Sequence, residues 1–251
     1  MTVHFIGAGP GAADLLTLRA VRLLNTAPVC LYAGTYVTAD ILDHCAAGAE
    51  LIDTQRLNLD QITAHLVGAH RSGHDVARLC SGDPSLYSAL SEQTTRLDGA
   101  GVPWDVTPGV PAYAAAAAIL GRELTVPGLV QTVVVTRAQA RSTAMPDTES
   151  LATLAASRAT LALHLAITRI REIAAQLTPF YGADCPVAVV HRATQPGEVV
   201  LRGTLLDIAD QVEAAGLRQA AVILVGQALR VGDPERCAVE SHLYGSDRPR
   251  P

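Results

Sequence analysis

The chain has 251 residues, of which 49% are hydrophobic and 17% are charged. This balance supplies enough apolar surface for one large α/β domain or two smaller ones, and it argues against an intrinsically disordered chain. The net charge of −5 and the aromatic content of 4% do not favour nucleic-acid binding, which relies on a basic surface and aromatic stacking.

The first half of the chain alternates short apolar runs with amphipathic segments. Strands are predicted at Val3–Ile6, Pro28–Tyr32, Asp75–Leu79 and Trp104–Val106. Helices are predicted at Leu18–Asn25 (capped by Thr17), Asp60–Ser72, Leu86–Leu97 and Ala112–Leu120. This alternation is typical of a mostly parallel sheet with helices on its faces.

The second half restarts the pattern after a boundary between Leu120 and Gln131. Strands are predicted at Thr132–Thr136, Thr160–Leu165, Pro186–Val190 and Ala221–Val225, and Val199–Thr204 is expected beside Pro186–Val190. Helices are predicted at Leu151–Ala156, Arg169–Leu177 and Leu205–Ala215, with a polar loop at Met145–Ser150 and a loose tail after Val231. We therefore expect two α/β domains, 1–120 and 121–251.

Three loops rich in glycine and proline stand out at predicted strand ends. They are Gly7–Gly11, Ser81–Tyr87 and Thr107–Tyr113. Open α/β sheets bind ligands at the carboxyl ends of their strands. Glycine lets the backbone approach a ligand closely, and proline stiffens the loop. The three loops together predict a small-molecule site built mostly from backbone.

The first loop matches the loose dinucleotide fingerprint G-x-G-x-x-G/A, which by itself is a weak signal. A dinucleotide site needs a helix that begins at the loop, but the next helix is predicted only from Thr17. Pro10 also removes one amide donor, and the strand at Pro28–Tyr32 does not end in an acidic residue. Nicotinamide binding is therefore disfavoured, and a tight turn without a ligand stays open as an alternative.

Few residue patterns in the chain suit classical catalysis. All 19 basic residues are arginines, which excludes Schiff-base and P-loop lysines. The cysteines lack any C-x-x-C spacing and are expected to be free thiols in a reducing compartment: Cys30, Cys45, Cys80, Cys185 and Cys237. Asp83 either caps the following helix or turns its carboxylate toward a cofactor. No signal peptide or membrane span is predicted, so the expected location is the cytoplasm.

In its ordered motifs the chain resembles the tetrapyrrole methylases, which are methyltransferases that use S-adenosylmethionine (SAM). The resemblance runs from Val3 to about Leu229. The segments that carry it are Gly7–Gly11 with Asp14–Thr17, Ser81–Pro84, Pro108–Val110, Thr136–Arg137, Pro186–Val190 and Arg202–Leu205. It implies two α/β domains with an active-site cleft between them, a homodimer and a tetrapyrrole substrate. Independently of the resemblance, the sequence offers no metal-ligand cluster, and its composition favours neither nucleic acid nor membrane as a partner.

The resemblance also implies which residues contact SAM. These are Pro10, Ser81, Gly82, Asp83, Leu86, Pro111, Ala112, Leu165 and Ala193. Asp83 is additionally the candidate catalytic residue, because a carboxylate favours a nearby sulfonium. Pro111 stands where the family commonly has Ser or Thr, and Leu165 where it usually has Met. A hydroxyl contact to SAM at position 111 is therefore not expected.

Within the family, four groups of residues resemble the members that methylate C11 of precorrin-4. They are Leu31–Gly34, Gly82–Tyr87, Gly121–Thr125 with Pro127–Gly128, and Gln131–Val133 with Thr136–Ala138. The alternatives are methylation of cobalt-precorrin-4 at C11, of precorrin-3B at C17 or of uroporphyrinogen III, and a ligand-binding α/β protein without catalysis. The acidic acceptor calls for arginine forks, and Arg122 and Arg137 are preferred over Arg56, Arg78 and Arg192.

Overall fold

A computed structural model describes residues 1–138 and 144–230, so the predicted tail after Val231 and Cys237 lie outside the described residues. The chain divides into two compact units. The first comprises Met1–Ala115 with Thr194–Pro196, and the second comprises, among the described residues, 116–138, 144–193 and 197–230. Each unit contains its own five-stranded sheet. This confirms the predicted pair of α/β domains, although the division falls at Ala115 and not after Leu120.

The first unit contains a fully parallel sheet. Its strands are β1 (Val3–Gly7), β2 (Val29–Tyr32), β3 (Glu50–Asp53), β4 (Val76–Cys80) and β5 (Trp104–Thr107). Their order is β3-β2-β4-β1-β5. The helices are α1 (Leu18–Thr26), α2 (Ala39–Leu42), α3 (Leu59–Arg71), α4 (Leu90–Gly99) and α5 (Ala112–Leu120), and the last of these crosses the division between the units.

Successive side chains of β1 pack into separate hydrophobic cores on the two faces of this sheet. Ile6 packs with Leu24 of α1 in one buried cluster. Phe5 packs with Leu66 of α3 and Leu97 of α4 in another. Successive side chains of a strand point to opposite faces, so one apolar run serves two layers of helices.

The second unit contains a mixed sheet. Its strands are β6 (Val133–Arg137), β7 (Thr160–His164), β8 (Pro186–His191), β9 (Val199–Thr204) and β10 (Ala221–Val225). The order is β6-β7-β10-β8-β9, with β6 parallel to β7 and every other pair antiparallel. The helices α6 (Leu151–Ala155), α7 (Ile170–Tyr181) and α8 (Ile208–Ala214) share one large buried cluster with the sheet.

Most predicted elements are confirmed within a few residues, and the differences have local causes. The predictions missed β3, a largely exposed edge strand with acidic ends, and the four-residue helix α2. The helix α4 begins at Leu90 and not at Leu86, because Tyr87 and Ala89 adopt left-handed φ values of 53° and 54°. A left-handed residue interrupts a right-handed helix.

Three glycines lie in backbone contact where β1 ends and where the loops after β4 and β5 begin. A Cβ on Gly109 would lie 2.2 Å from the Gly82 carbonyl oxygen and 2.8 Å from the Gly7 Cα. A Cβ on Gly7 would lie 2.4 Å from the Gly109 nitrogen. The obstructing atoms are backbone atoms, which a rotamer change does not move. Only glycine fits at Gly7 and Gly109 without shifting the loops.

Gly109→Ala is expected to destabilise the protein by about 1–3 kcal/mol, as overpacking does in a filled core. The matched control is Gly68→Ala in the interior of α3, where a Cβ would meet nothing within 4 Å. That control is expected to stabilise the helix by about 0.5–1 kcal/mol. Urea unfolding followed by circular dichroism measures both variants. Equal midpoints for the two would contradict the proposed close packing.

Candidate functional site

The carboxyl ends of three neighbouring strands of the first unit carry the three predicted loops. Beyond β1 and β4 the backbone ladder continues, since the Ala8 amide donates to the Cys80 carbonyl over 2.8 Å. Gly9 and Gly82 then exchange two hydrogen bonds, of 3.1 Å and 2.8 Å. The first two loops are therefore joined by backbone in the manner of a short antiparallel bridge.

The predicted cofactor residues of the first unit lie together around Gly82. The position that a Cβ would occupy on Gly82 is 3.6 Å from the Pro111 Cα and 3.6 Å from the Ala112 amide nitrogen. Pro10 is buried beside the Gly9–Gly82 bridge, and Ser81 is exposed. The Leu86 amide donates to the Asp83 carbonyl over 3.2 Å. The structure thus brings seven residues into one loop cluster: Pro10, Ser81, Gly82, Asp83, Leu86, Pro111 and Ala112.

The Asp83 carboxylate joins the second loop to the third. Its Oδ2 accepts a 2.8 Å hydrogen bond from the Gly109 amide, and its Oδ1 accepts from the amide and the hydroxyl of Ser85. Burial, the largest single effect, would raise the pKa of Asp83. The hydrogen bonds from the Ser85 hydroxyl, the Gly109 amide and the Ser85 amide together outweigh it and lower that pKa. The group is therefore held as a carboxylate.

A segment far along the chain holds the first loop. The Ala12 amide donates to the Thr194 Oγ1 over 3.0 Å, and the Gln195 Nε2 donates to the Pro10 carbonyl over 2.7 Å. Gly11 has a φ of 150°, and a Cβ there would lie 2.1 Å from the Gln195 Cγ. Sequence analysis did not identify Thr194 or Gln195, because no short motif marks the pair. Their one signal is that they directly follow Ala193, a predicted SAM contact.

Arg78, considered above as a contact for acidic groups, is instead buried beneath the second loop. Its Nε donates to the Gln93 Oε1 over 3.0 Å, and its Nη1 donates to the Thr54 Oγ1 over 3.3 Å. The Gln93 Nε2 in turn donates to the carbonyls of Ser88 and Ala89. Burial lowers the pKa of Arg78. This network supports the left-handed turn that precedes α4.

In the second unit, three predicted site residues share one edge of the sheet, namely the edge formed by the carboxyl ends of β7 and β8. β10 runs antiparallel to both β7 and β8, so the carboxyl ends of β7 and β8 lie at the same edge. Leu165 follows β7, Ala193 follows β8, and Arg137 pairs with His164 at the end of β6. Leu165 is 56% exposed and has a φ of 51°. An exposed leucine in a strained conformation is typical of a ligand-contacting position.

Arg122 lies at the opposite edge of that sheet. It lines a cavity together with Pro186 and Thr204, at the start of β8 and the end of β9. The nearby Leu124 carbonyl accepts a 2.9 Å hydrogen bond from Thr160, the first residue of β7. The structure therefore groups Arg137 with Leu165 and Ala193, and it does not group Arg122 with them.

Backbone strain concentrates in the segments predicted to bind a ligand. Of the seven described non-glycine residues with positive φ, Tyr87, Leu165 and Arg192 are predicted loop or site residues, and Ala89 and Thr194 lie within two residues of one. Such conformations persist where the surroundings enforce them, which is common at binding sites. Within the described ranges, no group of three or more His, Cys, Asp or Glu residues is arranged to hold a metal ion. None of the described helices has the length and apolarity needed to cross a bilayer.

Asp83→Asn is expected to destabilise the protein by about 1–3 kcal/mol at neutral pH, because it removes the charge and can turn an N–H toward the Gly109 amide. The folded-state pKa of Asp83 lies below the ordinary value of about 3.9. Its stabilising contribution is therefore complete above that value and disappears as the pH falls through the folded-state pKa.

Urea unfolding at a series of pH values measures this contribution. The difference between the parent and Asp83→Asn should shrink below about pH 4. The control is Asp43→Asn, at an exposed carboxylate after α2, which should show only a small difference. A pH-independent difference for Asp83→Asn would contradict the carboxylate's role in joining the loops.

Comparison with known proteins gives consistent matches over most of the chain. The family model of the tetrapyrrole (corrin/porphyrin) methylases matches residues 2–209. A precorrin-4 C(11)-methyltransferase of Rhodococcus erythropolis is 55% identical over 251 residues, covering 100% of this chain and 99% of the relative.

Two solved structures share the fold. The crystal structure of a cobalt-precorrin-4 methyltransferase aligns with a TM-score of 0.88 and 38% identity, over 91% of this chain and 96% of the other. The uroporphyrin-III C-methyltransferase of Thermus thermophilus, complexed with S-adenosylhomocysteine, aligns with a TM-score of 0.77 and 29% identity, over 92% and 94% of the two chains. By sequence and by fold, this chain belongs to the tetrapyrrole methylase family.

Proposed function

We propose that this chain is a SAM-dependent methyltransferase that adds a methyl group at C11 of precorrin-4, giving precorrin-5 in cobalamin biosynthesis. The observation that carries the proposal is the 55% identity, over the full length, with a precorrin-4 C(11)-methyltransferase. The loop cluster of the first unit supports it, because those loops join the predicted SAM contacts through backbone. The lower identity of 38% to a cobalt-precorrin-4 methyltransferase favours the cobalt-free acceptor.

The residues present fit SAM in three respects. Gly82 offers backbone without a Cβ beside Pro111 and Ala112, Asp83 supplies a negative charge, and Leu165 is an exposed apolar side chain. An adenosine and a methionine chain need close backbone approach and apolar contact, and a sulfonium favours a nearby carboxylate. The proposed contacts are Pro10, Ser81, Gly82, Asp83, Leu86, Pro111 and Ala112 of the first unit, with Leu165 and Ala193 of the second.

SAM, when bound, supplies a methyl group that is already activated by its sulfonium. The chain's own task is therefore alignment, with reacting atoms about 3–3.5 Å apart, and a strong base is not required. The closely packed glycine loops provide a rigid surface that can hold SAM in this alignment. Asp83 remains the proposed catalytic residue, and its hydrogen bonds to Ser85 and Gly109 hold its charge in one place. The apolar Leu165 helps to exclude water that would compete for the methyl group.

The acceptor carries acidic side arms, which guanidinium groups bind well. Arg137 is the first proposed contact, because it shares a sheet edge with Leu165 and Ala193. Arg122 stays a second proposed contact at the other edge. A homodimer and a cytoplasmic location also stay proposals. They follow from the family resemblance and, for the cytoplasm, from the scattered cysteines.

In the direct test, the protein is incubated with precorrin-4, made by the upstream enzymes, and with SAM that carries ¹³C in its methyl group. NMR should place the new methyl carbon at C11. A methyl group at another ring position, or methylation of uroporphyrinogen III instead, would show that this chain catalyses the reaction of a different member of the family. SAM binding without turnover on any of these acceptors would favour the non-catalytic alternative.

SAM should bind in the absence of metal ions. The physical reason is that the proposed contacts are backbone groups, apolar side chains and one carboxylate that already accepts three hydrogen bonds. Calorimetric titration of SAM with and without EDTA should give the same affinity within experimental error. Loss of binding in EDTA would show that a metal ion takes part.

Acceptor affinity should fall as salt rises, while SAM affinity should change little. Exposed ion pairs are screened over about 8–10 Å at 0.1–0.15 M salt, whereas backbone and apolar contacts are not. Arg137→Gln should weaken acceptor binding about tenfold and reduce its salt dependence. The control is Arg218→Gln, an exposed arginine elsewhere in the second unit. Salt-independent acceptor binding, unchanged in Arg137→Gln, would instead indicate that burial of the ring holds the acceptor.

A further inference from the structure

The second unit contains an arginine-lined cavity at the sheet edge that the predicted SAM contacts do not occupy. Its volume is about 230 Å³. Leu120, Val187 and Leu229 give it an apolar floor. Three arginines line it, namely Arg122, Arg202 and Arg230. This combination of an apolar floor and several cations is suited to a ligand that has both a short hydrocarbon part and a negative charge.

The charge of the cavity is only partly balanced. Arg230 donates to the Asp184 carboxylate over 3.3 Å and to the Gln227 side chain over 3.0 Å. Among residues 1–138 and 144–230, no carboxylate forms an ion pair with Arg122 or Arg202. The cavity thus has two guanidinium groups that no carboxylate of the described residues engages. Guanidinium groups present paired N–H donors that match a carboxylate.

The position of the cavity separates it from the proposed SAM contacts of the same unit. It lies at the first residues of β8 and the last residues of β9, and Val187 there pairs with Val225 at the end of β10. Leu165 and Ala193 follow the opposite ends of β7 and β8. A strand of five or six residues spans about 16–20 Å. One small ligand therefore does not reach from the cavity to those two residues.

We propose that this cavity is a carboxylate-binding site, with Arg122 and Arg202 as its two anchors and Arg230, fixed by Asp184, as its third cation. The carboxylate has two possible sources. One is a free small carboxylic acid, which would make the cavity an independent ligand site. The other is an acidic side arm of the tetrapyrrole acceptor, and only this source rests on the proposed function.

The test uses the full-length parent, Arg202→Gln, the double variant Arg122→Gln/Arg202→Gln, and Arg218→Gln as a control outside the cavity. Arg202 is exposed on an edge strand, so its substitution should leave the fold intact, which thermal unfolding checks. Calorimetry measures the affinity of each protein for succinate, for uroporphyrin III and for SAM. Succinate represents the free acid, and uroporphyrin III is a stable tetrapyrrole with carboxylate arms.

The double variant is expected to bind one of the two carboxylate probes at least about tenfold more weakly than the parent does. Arg218→Gln should bind both probes as the parent does, and the affinity of the double variant for SAM should be unchanged. A loss for succinate assigns the free acid, and a loss confined to uroporphyrin III assigns the acceptor arm. Equal binding of both probes by the parent and the double variant, including no binding by either, would overturn the proposal. Failure of the parent to bind SAM would instead count against the proposed function.

Discussion

Gly7, Gly82 and Gly109 lie so close together that their backbones leave no room for a Cβ on the first or the last of them. This contact joins the ends of β1, β4 and β5, which are neighbours in the sheet. Because the touching atoms are backbone atoms, this contact does not depend on side-chain rotamers. A ligand that recognises these loops meets a surface that is formed in advance, which reduces the entropy lost on binding.

Two further ties hold the same loops from different directions. The Asp83 carboxylate bonds to Gly109, and the Thr194–Gln195 pair bonds to Ala12 and Pro10. The glycine contact makes the first of these ties possible, since Asp83 and Gly109 meet only when the second and third loops touch. A carboxylate that both orders the loops and supplies negative charge suits a cationic methyl donor. The structural role of Asp83 and its proposed chemical role are therefore coupled, and both should respond to its protonation.

An element could be predicted from the sequence wherever one local pattern of residues decides whether a strand or a helix forms. Buried strands such as Val3–Gly7 and Ala221–Val225 are apolar runs bounded by turn residues, and Thr17 caps α1 as its residue type predicts. The exposed edge strand β3 gave no such pattern. Thr194 and Gln195 were missed because their partners lie more than 180 residues away in the chain. The separation of Arg122 from Arg137 depends on β10 lying between β7 and β8, a sheet order that periodicity does not encode.

We propose that the backbone of the three glycine loops forms the SAM site of the first unit. Hydrogen–deuterium exchange of the full chain, measured with and without saturating SAM, tests it most directly. SAM is expected to slow exchange in the peptides covering residues 7–12, 81–86 and 109–113. Exchange in α3 should stay unchanged, because that helix lies away from the three loops in the sequence and carries none of the proposed contacts. Protection confined to other segments, with these three unchanged, would contradict this assignment of the SAM site.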